Sequence, residues 1–140
     1  MNGRDGEYVL DDQVGYVLRR ATQRHLAIFA AAIAEVTTTQ FAVLARLAER
    51  GPMSQNHLGR STAMDAATIK GVVGRLARQG LVVTEPDTGD RRRLTVALTA
   101  EGRRLFERTR DAALEVSRAT LAPLSTAERR QFMDLLSRLA

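Results

Sequence analysis

SQNHLGRSTAMDAATIKGVVGRLARQGLVVTEPDTGDRRRLTVALT, residues 54–99, changes its hydrophobic period along its length. Ser54 opens a short helical segment whose main core contact is Leu58, because a serine oxygen can accept from an amide of the first turn. Asp65 opens a second helix, AATIKGVVGRLARQ, which closes at Gly80. Ile69, Val72, Val73 and Leu76 share its inner face, and Ala67, Lys70, Gly71, Gly74, Arg75 and Arg78 share the other. Residues 81–84 and 94–98 are rich in β-branched side chains and predict two strands. Glu85-Pro86-Asp87-Thr88-Gly89-Asp90 supplies turn chemistry between them, followed by Arg91, Arg92 and Arg93. Helix, tight connection, longer helix and basic-tipped hairpin make a winged helix-turn-helix, a device that lays one helix in a DNA groove with a hairpin beside it.

Outward from that stretch the chain is helical. Asp11 can cap a long helix after a frayed start. Val14, Leu18, Ala21, His25, Ile28, Phe29, Ala32 and Ile33 form one stripe, ending near Val36. Thr37 with Gln40 is a capping box for the next helix, which carries Phe41, Leu44, Leu47 and Ala48 inward and stops at Gly51-Pro52. On the other side Thr99 caps a helix with Glu101 in its first turn. Leu105, Ala112, Leu114 and Val116 are its apolar positions, to about Ala122. Ser125 and Glu128 form a second capping box before Phe132, Leu135, Leu136 and Leu139. No repeat or linker divides the chain, so the expectation is one domain over residues 1–140, mostly α with a small β-hairpin.

Composition narrows the function classes. The chain has 140 residues, 44% apolar and 26% charged, with no cysteine. Disulfides, thiolate metal sites and thiol redox sensing are excluded. Two histidines 32 positions apart offer no ligand cluster, so no metal or cofactor is expected. No nucleophile elbow, phosphate-binding glycine loop or HExxH motif suggests an enzyme. The polar start, MNGRDGEYVLDDQ, has no signal-peptide core, and no apolar run reaches the roughly 18 residues of a membrane span, so a cytoplasmic protein is expected. The net charge of +5 is unevenly placed. Residues 1–53 are neutral, with six Arg against six acids. Residues 54–99 carry six Arg and one Lys against four acids, and residues 100–140 eight Arg against six. The excess on the central stretch suits a polyanion partner.

The same residues resemble the multiple antibiotic resistance regulator (MarR) family. Thr37-Thr38-Thr39-Gln40-Phe41, then Val43 and Leu44, is similar to the opening of that family's second helix. Arg75-Leu76, then Arg78-Gln79-Gly80-Leu81-Val82, resembles the end of its recognition helix. Asp90-Arg91-Arg92-Arg93-Leu94-Thr95-Val96-Ala97-Leu98-Thr99, then Glu101-Gly102, matches its D-x-R wing signature. The order of elements agrees over nearly the whole chain. The resemblance implies a homodimer formed by helices in residues 11–36 and 100–140, a DNA-binding lobe over residues 38–99, and repression at a pseudo-palindromic operator. It also implies release by a small ligand, often an aromatic acid or phenol. Gly71 and Gly74 stand where the family often has larger polar side chains.

The expected chemistry follows from residue type. Ala66, Ala67, Thr68, Lys70 and Arg75 offer small side chains and cations for base edges and thymine methyls. Two mid-helix glycines cost about 1 kcal/mol each against alanine, explained by close approach to DNA, by tight packing on another helix, or by drift. Asp90 can hold Arg92 in a bidentate pair aimed at a narrow minor groove. Arg91 and Arg93, on the opposite strand face, suit phosphate or solvent. Ser54, Gln55, Asn56, Arg60, Ser61 and Thr62 are phosphate candidates, or equally caps and solvent groups.

His25 on an apolar stripe is either a hydrogen-bonded structural residue or, with Arg20 and Arg24, part of a carboxylate site. Thr38, Phe41 and Arg46 are candidates for the same ligand, an aromatic carboxylate. Two functions compete: a ligand-responsive repressor acting on double-stranded DNA, and a winged-helix module whose basic wing docks on an acidic protein surface.

Overall fold

The structure, a computed structural model, describes residues 6–140. The part of the expected frayed start that falls on residues 1–5 lies outside the described residues. A single 3-10 turn, Leu10–Asp12, precedes α1 (Val14–Ala32), α2 (Thr38–Arg50), β1 (Met53–Ser54), α3 (Gln55–Ser61) and α4 (Ala66–Arg78). The strands β2 (Val82–Pro86) and β3 (Leu94–Leu98) follow, then α5 (Ala100–Thr120) and α6 (Thr126–Arg138). The chain divides into two compact units, one of Met1–Ala32 with Ala112–Ala140, the other of Ile33–Asp111.

Caps set the helices of the second unit. Thr37 Oγ1 accepts from the Gln40 amide at 3.3 Å, and Gln40 Oε1 accepts from the Thr37 amide at 3.0 Å. This reciprocal pair satisfies two donors that the first turn of α2 leaves without partners. Ser54 and Asp65 cap α3 and α4 as the sequence predicts. Val43, Leu44 and Leu47 of α2 are buried, as are Leu58, Ile69, Val72, Val73, Leu76, Val82 and Val96. Each such side chain contributes about 1.5–3 kcal/mol on burial, so this unit has a core of its own.

The sheet has three antiparallel strands in the order β1-β3-β2, rather than the two of the expected hairpin. β1 pairs Met53 with Val96 and Ser54 with Thr95. Two residues are too few to show a period, so the sequence gives no sign of this strand. β2 runs to Pro86, opposite Leu94 and beyond the expected residues 81–84. Pro86 has no N–H to continue the ladder. At the other end of the sheet the Leu81 carbonyl accepts from the Thr99 amide at 3.1 Å. Thr99 Oγ1 donates to Gly80 O at 2.6 Å and accepts from the Gly102 amide at 3.0 Å, capping α5. A Cβ at Gly102 would collide with the Leu81 carbonyl, so only glycine fits where α5 passes β2. The end of α4, the root of the wing and the start of α5 are thereby tied together.

The first unit differs from expectation at both ends of its leading helix. Asp11 does not cap α1: it lies within the 3-10 turn, and the first α-helical bond runs from the Val17 amide to Gln13 O at 3.0 Å. Gln13 Nε2 also donates to Val9 O at 2.9 Å. α1 stops at Ala32 rather than near Val36, and the chain that follows buries both Ile33 and Val36. Of the expected apolar stripe, Phe29 is buried within α1, His25 and Ile28 are half-buried, and Val14, Leu18 and Ala21 are exposed. α6 has the expected Ser125–Glu128 capping box but buries no side chain.

Candidate nucleic-acid interface and effector residues

The face of α4 opposite its buried residues lines a groove of about 530 Å³ together with Gln55, Thr84 and Leu94. Ala67, Lys70, Gly71, Gly74, Arg75 and Arg78 supply most of the α4 side, with Val73 and Ala77 completing it. A Cβ at Gly71 would meet nothing within 4 Å, and one at Gly74 would meet only the Arg78 guanidinium, at 3.5 Å. Tight helix packing is therefore not the reason for these glycines. They leave a bare strip between cations, open to close approach. Among the described residues, none of Lys70, Arg75 or Arg78 meets a carboxylate.

The wing meets the start of α3. Ser54, Gln55 and Asn56 line a second depression with Arg92, Arg93 and Leu94, so the geometry brings three predicted phosphate residues to the predicted wing arginine. The wing's internal bonding departs from expectation. Asp90 Oδ1 accepts from the Arg92 backbone amide at 3.0 Å, and no ion pair joins Asp90 to the Arg92 guanidinium. Asp90 therefore shapes the turn and leaves the guanidinium free. Arg91, Arg92 and Arg93 precede β3, so strand alternation does not sort them onto two faces; the Arg93 amide instead closes a turn on Asp90 O at 3.0 Å.

Around the helix-turn-helix, Asn56, Arg60 and Ala66 share a third depression with Asp65. Asp65 Oδ1 accepts from the Thr68 amide at 2.7 Å. That backbone bond, with the Thr68 hydroxyl, holds the Asp65 carboxyl below the ordinary aspartate range, because it favours the charged form. Thr68 itself is exposed. Ser61 and Thr62 are committed inward: Ser61 Oγ donates to Leu58 O at 3.1 Å, and Thr62 Oγ1 donates to the same carbonyl at 2.6 Å. As donors to phosphate they are already occupied.

The effector candidates fall in both units. In the first, Arg24 donates to Thr120 O at 2.7 Å and Ala119 O at 3.0 Å, satisfying carbonyls at the end of α5. His25 Nδ1 lies 2.8 Å from Thr120 Oγ1. The Thr120 hydroxyl proton goes to Val116 O at 2.8 Å, so Nδ1 carries the proton in the histidine bond and Nε2 is left for another partner. Arg20 lies over the Tyr16 ring, 5.9 Å from its centroid. In the second unit, Phe41 stacks on Phe106 in a tilted pair with centroids 5.7 Å apart, and Thr38 is half-buried. Arg46 is engaged elsewhere, on Ser61 O and Glu49.

The sequence reading missed Thr84 and Leu94 as walls of the α4 groove, since their place depends on strand register. Arg93, expected to meet phosphate or solvent, stands beside the start of α3, a place set by a turn that residue pattern does not show.

The sequence profile of the MarR family matches residues 34–93. The HTH-type transcriptional repressor NicR of Pseudomonas putida is 40% identical over 134 residues, covering 94% of this chain and 85% of that protein. The chain belongs to the MarR family. The crystal structure of a probable transcriptional regulator from Pseudomonas aeruginosa is similar, with a TM-score of 0.91 and 52% identity, covering 94% of this chain and 100% of that one. BpsR of Bordetella bronchiseptica, whose DNA binding is regulated by 6-hydroxynicotinic acid, has a TM-score of 0.91 and 39% identity over 96% of this chain and 97% of its own. This MarR-family chain is a winged-helix transcriptional regulator that binds DNA. Among its described residues no helix is long and apolar enough to cross a membrane.

Proposed function

We propose that this MarR-family chain is a cytoplasmic homodimeric repressor, released from a pseudo-palindromic operator by a small aromatic or heteroaromatic carboxylate. The observation that carries the DNA side is the open cationic groove of α4 beside a wing whose three arginines meet no acid among the described residues. Ala66, Ala67, Thr68, Lys70 and Arg75 are the proposed base-reading face, and Arg91 and Arg92, shaped by Asp90, the proposed minor-groove and phosphate contacts. Ser54, Gln55, Asn56 and Arg60 are proposed to meet phosphate, with Ser61 and Thr62 reduced to shaping the turn. Two such readers on one duplex require a dimer, and the exposed apolar residues of α1 and α6 supply a surface for it.

The ligand reading is supported by BpsR, and it makes 6-hydroxynicotinic acid the first compound to test. Arg20, Arg24, His25, Thr38 and Phe41 are the proposed effector residues. Arg24 acts by holding the end of α5, and His25 by offering Nε2. The test is a binding assay with duplex from upstream of the protein's own gene, with and without this acid and related hydroxybenzoates. Specific binding that weakens with salt, and weakens again with the acid, supports the reading. Binding unaffected by every such acid would remove the effector from it. His25→Ala should bind operator normally and respond less to the acid.

A further inference from the structure

The turn between α3 and α4 is held by one side chain from outside the helix-turn-helix. Arg46, in the middle of α2, donates from Nε and Nη2 to the carbonyl oxygen of Ser61, at 3.2 and 2.9 Å. Its third nitrogen, Nη1, lies 3.3 Å from both carboxylate oxygens of Glu49, one turn further along the same helix. Ser61 is the last residue of α3, and no backbone amide among the described residues donates to its carbonyl. Such terminal carbonyls need a partner, and a cation suits the negative end of the helix.

The turn that follows is strained. Ala63 has φ +56, in the left-handed region that residues with a Cβ rarely adopt. The Met64 amide reaches back to Gly59 O at 2.8 Å. Gly59 lies so close to α4 that a Cβ there would stand 3.1 Å from Ile69 Cγ2 and from Met64 O. The angle at which α4 leaves α3 thus depends on a tight turn in a costly conformation. Apolar packing fixes how near the two helices lie, but it resists sliding and rotation weakly because it is non-directional. A forked guanidinium on a single carbonyl oxygen is directional, and its own orientation is fixed by Glu49.

We propose that Arg46 is a positioning residue for DNA reading: by gripping the Ser61 carbonyl from α2, it holds the turn in the geometry from which α4 and the start of α3 engage the duplex. Arg46 itself touches no DNA in this account. The inference rests on the DNA-binding reading above.

The experiment measures binding of the full-length protein to duplex from upstream of its own gene, over a range of salt concentrations. Wild type, Arg46→Met and Arg92→Ala are compared, and each is also measured on an unrelated duplex. Arg46→Met keeps most of the aliphatic stem and removes the donors. Its operator affinity should fall about tenfold, the scale of losing hydrogen bonds to a charged group. Its salt slope and its affinity for unrelated duplex should match wild type, because no phosphate contact has been removed. Arg92→Ala should instead flatten the slope by about one. Arg46→Gln, neutral but still a donor, should lose less and keep the slope; it carries the same test if the methionine variant does not fold. Wild-type operator affinity in either folded variant overturns the proposal. So does a slope lowered by about one, which would make Arg46 a phosphate contact. A wild-type protein that binds no duplex overturns both this inference and the reading beneath it, whereas an active wild type with indifferent Arg46 variants overturns the inference alone.

Discussion

The unit of Ile33–Asp111 and the unit built from the two ends of the chain bury their apolar residues very differently. In the first, helices and sheet enclose Leu44, Leu47, Leu58, Ile69 and Leu76, each 1% exposed or less. In the second, α6 leaves Met133 48% and Leu135 47% exposed, and α1 leaves Val14 66% exposed. One unit has finished its core. The other leaves several large apolar side chains exposed. Helical periodicity is equally clear in both, so amphipathic pattern tells which face is apolar but not whether the same chain covers it.

The contrast is sharpest in a pair of equivalent truncations. Leu76→Ala should destabilise the folded protein by about 2–5 kcal/mol, the range for opening a cavity in a packed core. Leu135→Ala should change the stability of the separated chain by less than about 0.5 kcal/mol. Its effect should instead appear as a lower unfolding midpoint that depends less steeply on protein concentration, because the proposed subunit association stabilises by mass action. Denaturant unfolding at two concentrations reads both. Equal losses for the two variants would erase the distinction.

Charge offers a second way to break the comparison. Arg92 and Arg130 are both exposed and neither meets a carboxylate among the described residues, but they belong to different units. Arg92→Ala should weaken operator binding about tenfold and reduce the dependence of log affinity on log salt by about 0.9. Arg130→Ala should leave both unchanged. A smaller effect with opposite signs is expected at Gly71. A Cβ there meets open space, so Gly71→Ala should stabilise the protein by about 0.8–1 kcal/mol in thermal unfolding. The same methyl would stand on the strip proposed to approach DNA, so operator affinity should fall. Stabilisation without loss of binding would mean that Gly71 has no functional role.

Local chemistry explains which features were legible. Caps were, because each is decided within four residues: Thr37 with Gln40, Ser54, Asp65, Thr99, and Ser125 with Glu128 all bond as their spacing predicts. Asp11 failed because Val9 and Gln13 close a competing 3-10 turn around it. The third strand was hidden by its length, and the fate of the wing acid by competition, since Asp90 had both a guanidinium and an amide within reach and took the amide. Arg46 shows the limit most clearly. Its partner is a carbonyl, a group every residue carries, and no side-chain pattern can mark which one a guanidinium will reach.

The smallest effect separates the units by acid. Asp65 caps α4 in one unit, and Glu128 completes the capping box of α6 in the other. Both carboxyls sit below their ordinary range because backbone amides, of Thr68 and Ser125 respectively, hold the charged form. A carboxyl lowered on folding contributes stability that is fully present above its unfolded value and disappears as pH falls through its folded one. Neither cap should therefore contribute any pH dependence between about pH 6 and 8, and both should weaken below about pH 4. Asp65→Asn keeps an acceptor oxygen and removes the titration, as does Glu128→Gln. Because α4 is packed into a core and α6 buries no side chain, loss of the Asp65 cap should be masked until global unfolding, while loss of the Glu128 cap should fray its helix first. Amide exchange across pH 5 to 3 distinguishes them: early exchange in α6, abolished by Glu128→Gln, is expected, and early exchange in α4 would mean that packing does not secure the DNA-reading helix.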